Sequence, residues 1–149
     1  ILARAMRGKV ITTGMKDYRP DLEDMARRIG SRTKCLFICT PNNPTGAATP
    51  AEWVERWATQ HPETLFVIDE AYIHFAPGVE SVAGMGVHNV LALRSMTKDY
   101  ALAGLRLGYV VSHNQALIAA LGQARQGGQI PGAAAGGPGH QASSGDRAR

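Results

Sequence analysis

The sequence is poor in cysteine, in clustered charge of either sign and in long apolar runs. Its 149 residues hold only two cysteines, Cys35 and Cys39, both inside one apolar stretch. Four residues at strand rise span about 13 Å, too far for a disulfide. A disulfide scaffold is thereby excluded, and the two thiols read as small buried hydrophobes in a reducing cytoplasm, not as a redox or metal pair. The formal charge of +4 is scattered, and Arg27–Arg28 is the sole adjacent basic pair. No basic stripe follows a helix face, which argues against nucleic acid as a partner. No stretch approaches the roughly twenty apolar residues of a spanning helix. The opening Ile1-Leu2-Ala3-Arg4-Ala5-Met6 has neither an initiator Met nor the apolar core of a signal peptide. The expectation is a cytoplasmic chain with no membrane partner. One binding class loses its signature as well. The glycine-rich strand-to-helix turn of a dinucleotide-binding domain is missing; a regulator's non-catalytic effector module stays as an alternative that a helix-turn-helix segment upstream in the full gene would favour, none being visible in these residues.

What is present is a folded α/β composition, 44% apolar and 19% charged, long enough for one compact core. A short helical pattern ends at Gly8, and the β-branched run 9–13 predicts a strand. Asp21 with Asp24 forms a loose capping arrangement for a helix that buries Leu22, Met25, Ala26 and Ile29 and stops at Gly30. The nearly continuous apolar run 34–39 predicts a strand covered on both faces. Thr49-Pro50-Ala51-Glu52 predicts a capping box with Pro at the first helical position, Trp53, Val54, Trp57 and Ala58 forming the buried stripe and His61-Pro62 ending it. Strands are predicted over 65–68, 89–94 and 107–112, followed by a helix capped by Asn114 with Leu117, Ile118 and Leu121 turned inward. Strands and helices alternate, so the expected fold class is α/β, a mostly parallel sheet with helices on both faces. From about Gln126 the chain turns rich in Gly, Ala, Ser and Pro. The domain organisation expected is 1–125 as a partial large domain and 126–149 as a low-complexity tail, either disordered, a linker or a reading-frame artefact.

Three polar clusters stand where apolar runs stop: Asn42-Asn43-Pro44-Thr45-Gly46, Asp69-Glu70-Ala71-Tyr72, and Ser95-Met96-Thr97-Lys98 with Arg106 eight residues on. In a parallel sheet such ends converge on one edge. Taken singly, each has a plain structural explanation as a turn, a helix cap or a solvated lysine.

Together with Ala103-Gly104-Leu105-Arg106-Leu107-Gly108-Tyr109, the clusters resemble the fold-type I pyridoxal-phosphate enzymes of aminotransferase class I/II. The likeness covers nearly all of 1–124. Asp69-Glu70-Ala71-Tyr72-Ile73-His74-Phe75 and Ala101-Leu102-Ala103-Gly104-Leu105-Arg106 are most similar to histidinol-phosphate aminotransferases, and threonine-phosphate decarboxylases share much of the wording. The resemblance implies pyridoxal 5'-phosphate as cofactor and no metal. Lys98 is then the catalytic residue, forming the Schiff base and shuttling the Cα proton. Asp69 is implied to pair with the pyridinium nitrogen, Tyr72 and Asn43 to donate to the ring's phenolic oxygen, and Ser95 and Arg106 to bind the phosphate. Gly104 and Gly108 would either let backbone approach that phosphate or simply occupy a turn, and are not counted among its ligands. Glu70 is expected to solvate or cap its loop, and the roles of His74 and Thr97 stay open. Trp53 and Trp57 are expected in the core.

The resemblance further implies an amino acid or amine and a 2-oxo acid as substrates, and a homodimer for the full-length protein. Its upstream phosphate loop, the aromatic residue stacking on the pyridine and a substrate-carboxylate arginine find no counterpart in this sequence. Little or no turnover is therefore expected from these residues alone.

Overall fold

The computed structural model describes residues 8–100 and 102–127. Two short strands, β1 (Met15–Lys16) and β2 (Arg19–Pro20), form a hairpin. Its two-residue turn places both Asp17 (φ +50°) and Tyr18 (φ +60°) in the left-handed region, the backbone that a tight hairpin of right-handed twist demands. Tyr18 is 81% exposed at the tip. The strand expected over 9–13 does not form. Residues 8–14 carry no ladder, with Val10 and Ile11 exposed. Branched side chains favour extended backbone, but no described strand lies alongside to accept their hydrogen bonds. The short helix expected before Gly8 lies outside the described residues.

Helix α1 (Leu22–Arg28) starts as expected, Asp21 accepting from the Asp24 amide at 2.8 Å. It is reinforced by Asp24 to Arg28 at 2.7 Å, one helical turn apart. Helix α2 (Ala51–Gln60) begins one residue later than the capping box implies. Pro50 is its N-cap and supplies no side-chain cap. Thr49 faces inward instead: its amide donates to Thr40 Oγ1 at 2.9 Å, and its own hydroxyl is buried with no partner.

The main sheet holds β3 (Cys35–Cys39), β4 (Leu65–Asp69), β5 (Val90–Ser95) and β6 (Gly108–Val111) in that order. The first three are parallel and β6 is antiparallel to β5, so the expected α/β class with a mostly parallel sheet holds. Alternation along each strand sends Ile38, Phe66, Ile68, Val90 and Ala92 to one face. There they pack with Met25 of α1 and its C-cap Ile29, with Val54, Trp57 and Ala58 of α2, and with Val82. Each large side chain so buried contributes about 1.5–3 kcal/mol. Trp57 is buried as expected, whereas Trp53 is half-buried, edge-on to Trp57 with the Arg56 guanidinium over its ring. Asn89 ties the start of β5 to the end of α2 by donating to the carbonyls of Ala58, His61 and Thr64 at 2.9–3.0 Å.

The opposite face is more open. Phe37 is 59% exposed, and Cys35 is exposed while Cys39 is half-buried. Edge strand β3 is therefore not covered on both faces, and the cysteines are not core residues. An apolar run looks the same in sequence whether one of its faces is covered or both. Helix α3 (Met96–Asp99) is a single turn after β5, and α4 (Gln115–Gly127) ends the described chain. Asn114 caps α4 through Leu117 N at 2.9 Å. Leu117 and Ile118 are half-buried, but Leu121 is 38% exposed and does not turn inward. The boundary drawn at residue 126 falls almost entirely outside the described residues.

Candidate active site

The site is built where β3, β4 and β5 end on one edge of the sheet. Because these strands run parallel and in register, their last residues emerge together: Cys39 pairs with Asp69, and Asp69 with Leu93. Asp69, Cys39 and, two residues beyond Leu93, Ser95 share one face. Asp69 accepts from the Ala71 amide at 3.0 Å, which turns the chain and delivers Tyr72 over the strand ends. Asn43 Nδ2 donates to the Tyr72 hydroxyl at 3.0 Å, joining the turn after β3 to the loop after β4. That turn is itself held by Asn42, which donates to Thr45 Oγ1 at 2.9 Å. The Thr40–Pro41 and Asn43–Pro44 peptides are both cis.

Lys98, in the turn α3, places its Nζ 4.5 Å from the centroid of the Tyr72 ring. An ammonium over an aromatic face is attracted by the ring quadrupole. The helix that carries it is fastened to the strand beside it: the Met96 amide donates to Leu107 O at 3.1 Å and Thr97 Oγ1 to the same oxygen at 3.4 Å. Thr97, open at the sequence level, acquires this anchoring role. Burial and the Asp69 carboxylate push the Cys39 thiol pKa up, while the Asn43 amide and the Lys98 ammonium pull it down. Cys39 and Asp69 are register partners at the ends of β3 and β4, so the sulfur and the carboxylate lie on one face of the sheet.

Tyr72 thus touches both Asn43 and Lys98, and Asp69 precedes it by three residues at the end of β4. Ser95 is the last residue of β5, and its side chain makes no cap for α3, so its hydroxyl is not spent on the helix. Arg106 is exposed with φ +50° after the turn Ala103–Leu105, and among the described residues it makes no ion pair. The glycines divide. Nothing stands within 4 Å of a Cβ built on Gly104, whereas one on Gly108 would lie 2.8 Å from the Arg94 carbonyl oxygen. Gly108 lets β6 approach β5 opposite Ser95.

Arg94 and Ser81 escaped the sequence reading, and Glu70 and His74 acquire their surroundings only in the structure. Glu70 does not solvate its loop. It is fully buried, pairs with Arg94, and accepts from Ser81 Oγ at 2.9 Å and Val82 N at 2.7 Å. His74 Nε2 lies 3.0 Å from Arg94 Nη1. The missed signal was the period of two in Phe66, Ile68 and Glu70, which assigns the glutamate to the core face.

The Aminotransferase class I and II profile matches residues 2–138. The chain belongs to the class I and II aminotransferases. It is 43% identical over 101 residues to an aromatic amino acid aminotransferase of Cutibacterium acnes, covering 64% of this chain and 29% of that protein. To a histidinol-phosphate aminotransferase of Moorella thermoacetica it is 38% identical over 116 residues, covering 74% and 30%. Among solved structures, the histidinol-phosphate aminotransferase of Sinorhizobium meliloti in complex with pyridoxal-5'-phosphate superimposes with a TM-score of 0.68 at 33% identity, over 78% of this chain and 34% of that one. A tetra mutant of Thermus thermophilus aspartate aminotransferase gives a TM-score of 0.71 at 30% identity, over 84% and 36%. The chain spans about a third of the length of these relatives. Among the described residues of this aminotransferase chain, no helix is long and apolar enough to cross a membrane.

Proposed function

We propose that the protein containing this chain is a pyridoxal-phosphate-dependent aminotransferase that moves an amino group between an amino acid or amine and a 2-oxo acid. The observation that carries the proposal is the meeting of Lys98 and Asn43 on Tyr72, three residues beyond Asp69 at the end of β4. Their donor set fits the cofactor group by group: an amine for its aldehyde, a phenol and an amide for its phenolic oxygen, a carboxylate for its pyridine nitrogen. When bound, pyridoxal phosphate supplies the electron sink that lets a substrate Cα–H bond break.

The chain's own residues do the remainder. Lys98 would hold the cofactor and, once freed by the incoming substrate amine, accept and return the Cα proton. Tyr72 and Asn43 would orient the ring through their donors. Asp69 would keep a proton on the ring nitrogen by its negative charge. Ser95, at the end of β5, and the exposed Arg106 would take the phosphate, the arginine by a two-pronged charged contact. A homodimer and a cytoplasmic setting accompany this reading, as does the division of the chain into a partial large domain over 1–125 and a tail over 126–149. Relatives named for aromatic amino acids and for histidinol phosphate both match over this region, so the substrate side chain is left to the remainder of the protein.

The test is the absorbance spectrum of the full-length protein with pyridoxal phosphate, before and after Lys98→Ala. The wild type should show a visible band that borohydride abolishes, and the variant should lack it. A band of equal strength in the variant would remove Lys98 from its role.

A further inference from the structure

The two strand ends that carry Asp69 and Ser95 carry a second pair facing the other way. Glu70 and Arg94 each follow or precede a site residue by one position, so alternation turns them to the core face. There the Glu70 side chain is 0% exposed and that of Arg94 10%, with Arg94 Nε 2.9 Å from Glu70 Oε2. This is a charge contact more than an aligned hydrogen bond, since the Nε hydrogen does not point along the line. Ser81 bridges the pair: it donates to Glu70 Oε2 at 2.9 Å and accepts from Arg94 Nη2 at 2.7 Å. The Val82 amide and His74 Nε2 complete the shell at 2.7 and 3.0 Å.

The cluster sits at a fork. The last ladder pair between β4 and β5 is Asp69 with Leu93, and the Glu70 amide still reaches Leu93 O at 2.9 Å. Beyond it the chains part, one into the turn Ile73–Phe75 and the other into Ser95 and α3. Backbone bonding no longer fixes the gap between them; the side chains of Glu70 and Arg94 do. A buried ion pair adds little net stability over apolar residues of equal size, because both charges are desolvated. What it does impose is a fixed geometry.

We propose that Glu70 and Arg94, bridged by Ser81, are positioning residues that set the separation of Asp69 and Tyr72 from the Ser95–Lys98 turn, and so determine how tightly the site holds its cofactor. The cofactor half of this statement rests on the function proposed above. The clamp touches no reacting atom; it acts through the segments it joins.

The experiment uses the full-length holoenzyme with Glu70→Gln, which keeps the shape and removes the charge facing Arg94. Val54→Ala, a buried change on α2 away from the fork, serves as the stability-matched control. Glu70→Gln is expected to weaken pyridoxal phosphate binding about tenfold and to speed hydrogen exchange selectively at the amides of Ile73, Ala76 and Met96. Val54→Ala is expected to lower Tm while leaving the dissociation constant and that exchange pattern as in the wild type. Should Glu70→Gln not fold, Ser81→Ala removes the bridge alone, with the same signature at smaller size. Equal cofactor affinity and equal exchange in the glutamine variant and the control would overturn the clamp. A wild type showing no visible band with cofactor would overturn the proposed function instead, and the exchange pattern would then decide the clamp by itself.

Discussion

Lys98 rests on the face of Tyr72, its Nζ 4.5 Å from the ring centroid, while the hydroxyl of the same tyrosine accepts from Asn43 at 3.0 Å. One ring therefore organises two groups from different strand ends, the amine by its face and the amide by its edge.

The two functions of that ring separate by substitution. Tyr72→Phe keeps the face and loses the acceptor, so it is expected to weaken cofactor binding by about 1 kcal/mol, a typical net hydrogen-bond contribution. Asn43→Ala should cost a similar amount. The double variant should cost less than the sum, because both remove the same bond. Cofactor titration of the four proteins in the full-length background measures this, and strictly additive losses would show that the bond contributes nothing to the site.

Gly108 and Gly104 make opposite predictions. Alanine at 108 drives a Cβ to 2.8 Å from the Arg94 carbonyl oxygen, a backbone atom held in the β5–β6 ladder, and should destabilise by about 1–3 kcal/mol. It should weaken cofactor binding too, since Arg94 precedes Ser95. Alanine at 104 meets nothing within 4 Å and should stay within about 0.5 kcal/mol of wild type. Denaturant unfolding of both variants distinguishes them.

Thr49 discriminates between a cap and a buried orphan. A hydroxyl capping α2 would cost about 1 kcal/mol when removed. The structure shows that hydroxyl buried without a partner, so Thr49→Val, which keeps the shape, is expected to raise stability by about 1 kcal/mol. A loss of stability in urea unfolding would return the residue to the capping role.

Cys39 reports the charges of the site. Burial, then the Asp69 carboxylate, raise its thiol pKa, against lowering by the Asn43 amide and Lys98. The folded state thus favours the protonated thiol. That contribution to stability is complete below the ordinary thiol pKa and is lost as pH rises through the raised value. Alkylation of Cys39 in the cofactor-free protein should be slow at neutral pH and reach half its maximum above the range of a free thiol. Asp69→Asn should shift this midpoint down and Lys98→Ala should shift it up. Mass spectrometry of the Cys39 peptide after iodoacetamide at graded pH reads all three.

Strands β3, β4 and β5 were legible to within a residue or so because buried parallel strands read as apolar runs closed by polar turns. The α1 cap at Asp21 was legible for a similar reason: a short acid before a helical stripe has few other uses. Elements that depend on a neighbour were not. Val10 and Ile11 have strand-forming side chains and no strand beside them, and Thr49 has a capping residue's chemistry spent elsewhere. In the candidate site, the gathering of three polar clusters was legible from their places at strand ends, whereas the roles expected of Asn43, Tyr72, Lys98 and Asp69 came from the family resemblance. Arg94 and Ser81 could not, since an arginine in a strand reads as solvent-facing until a buried acid is found opposite.

Consecutive acids at the end of β4 look to opposite sides, Asp69 toward the rim and Glu70 into the interior. Removing one residue from 65–68 would exchange them, leaving Arg94 without its counter-charge and the rim with the wrong carboxylate in the same step. This strand can vary in composition yet not in length: its residue count is a reading frame shared by the hydrophobic interior and the chemistry at its edge.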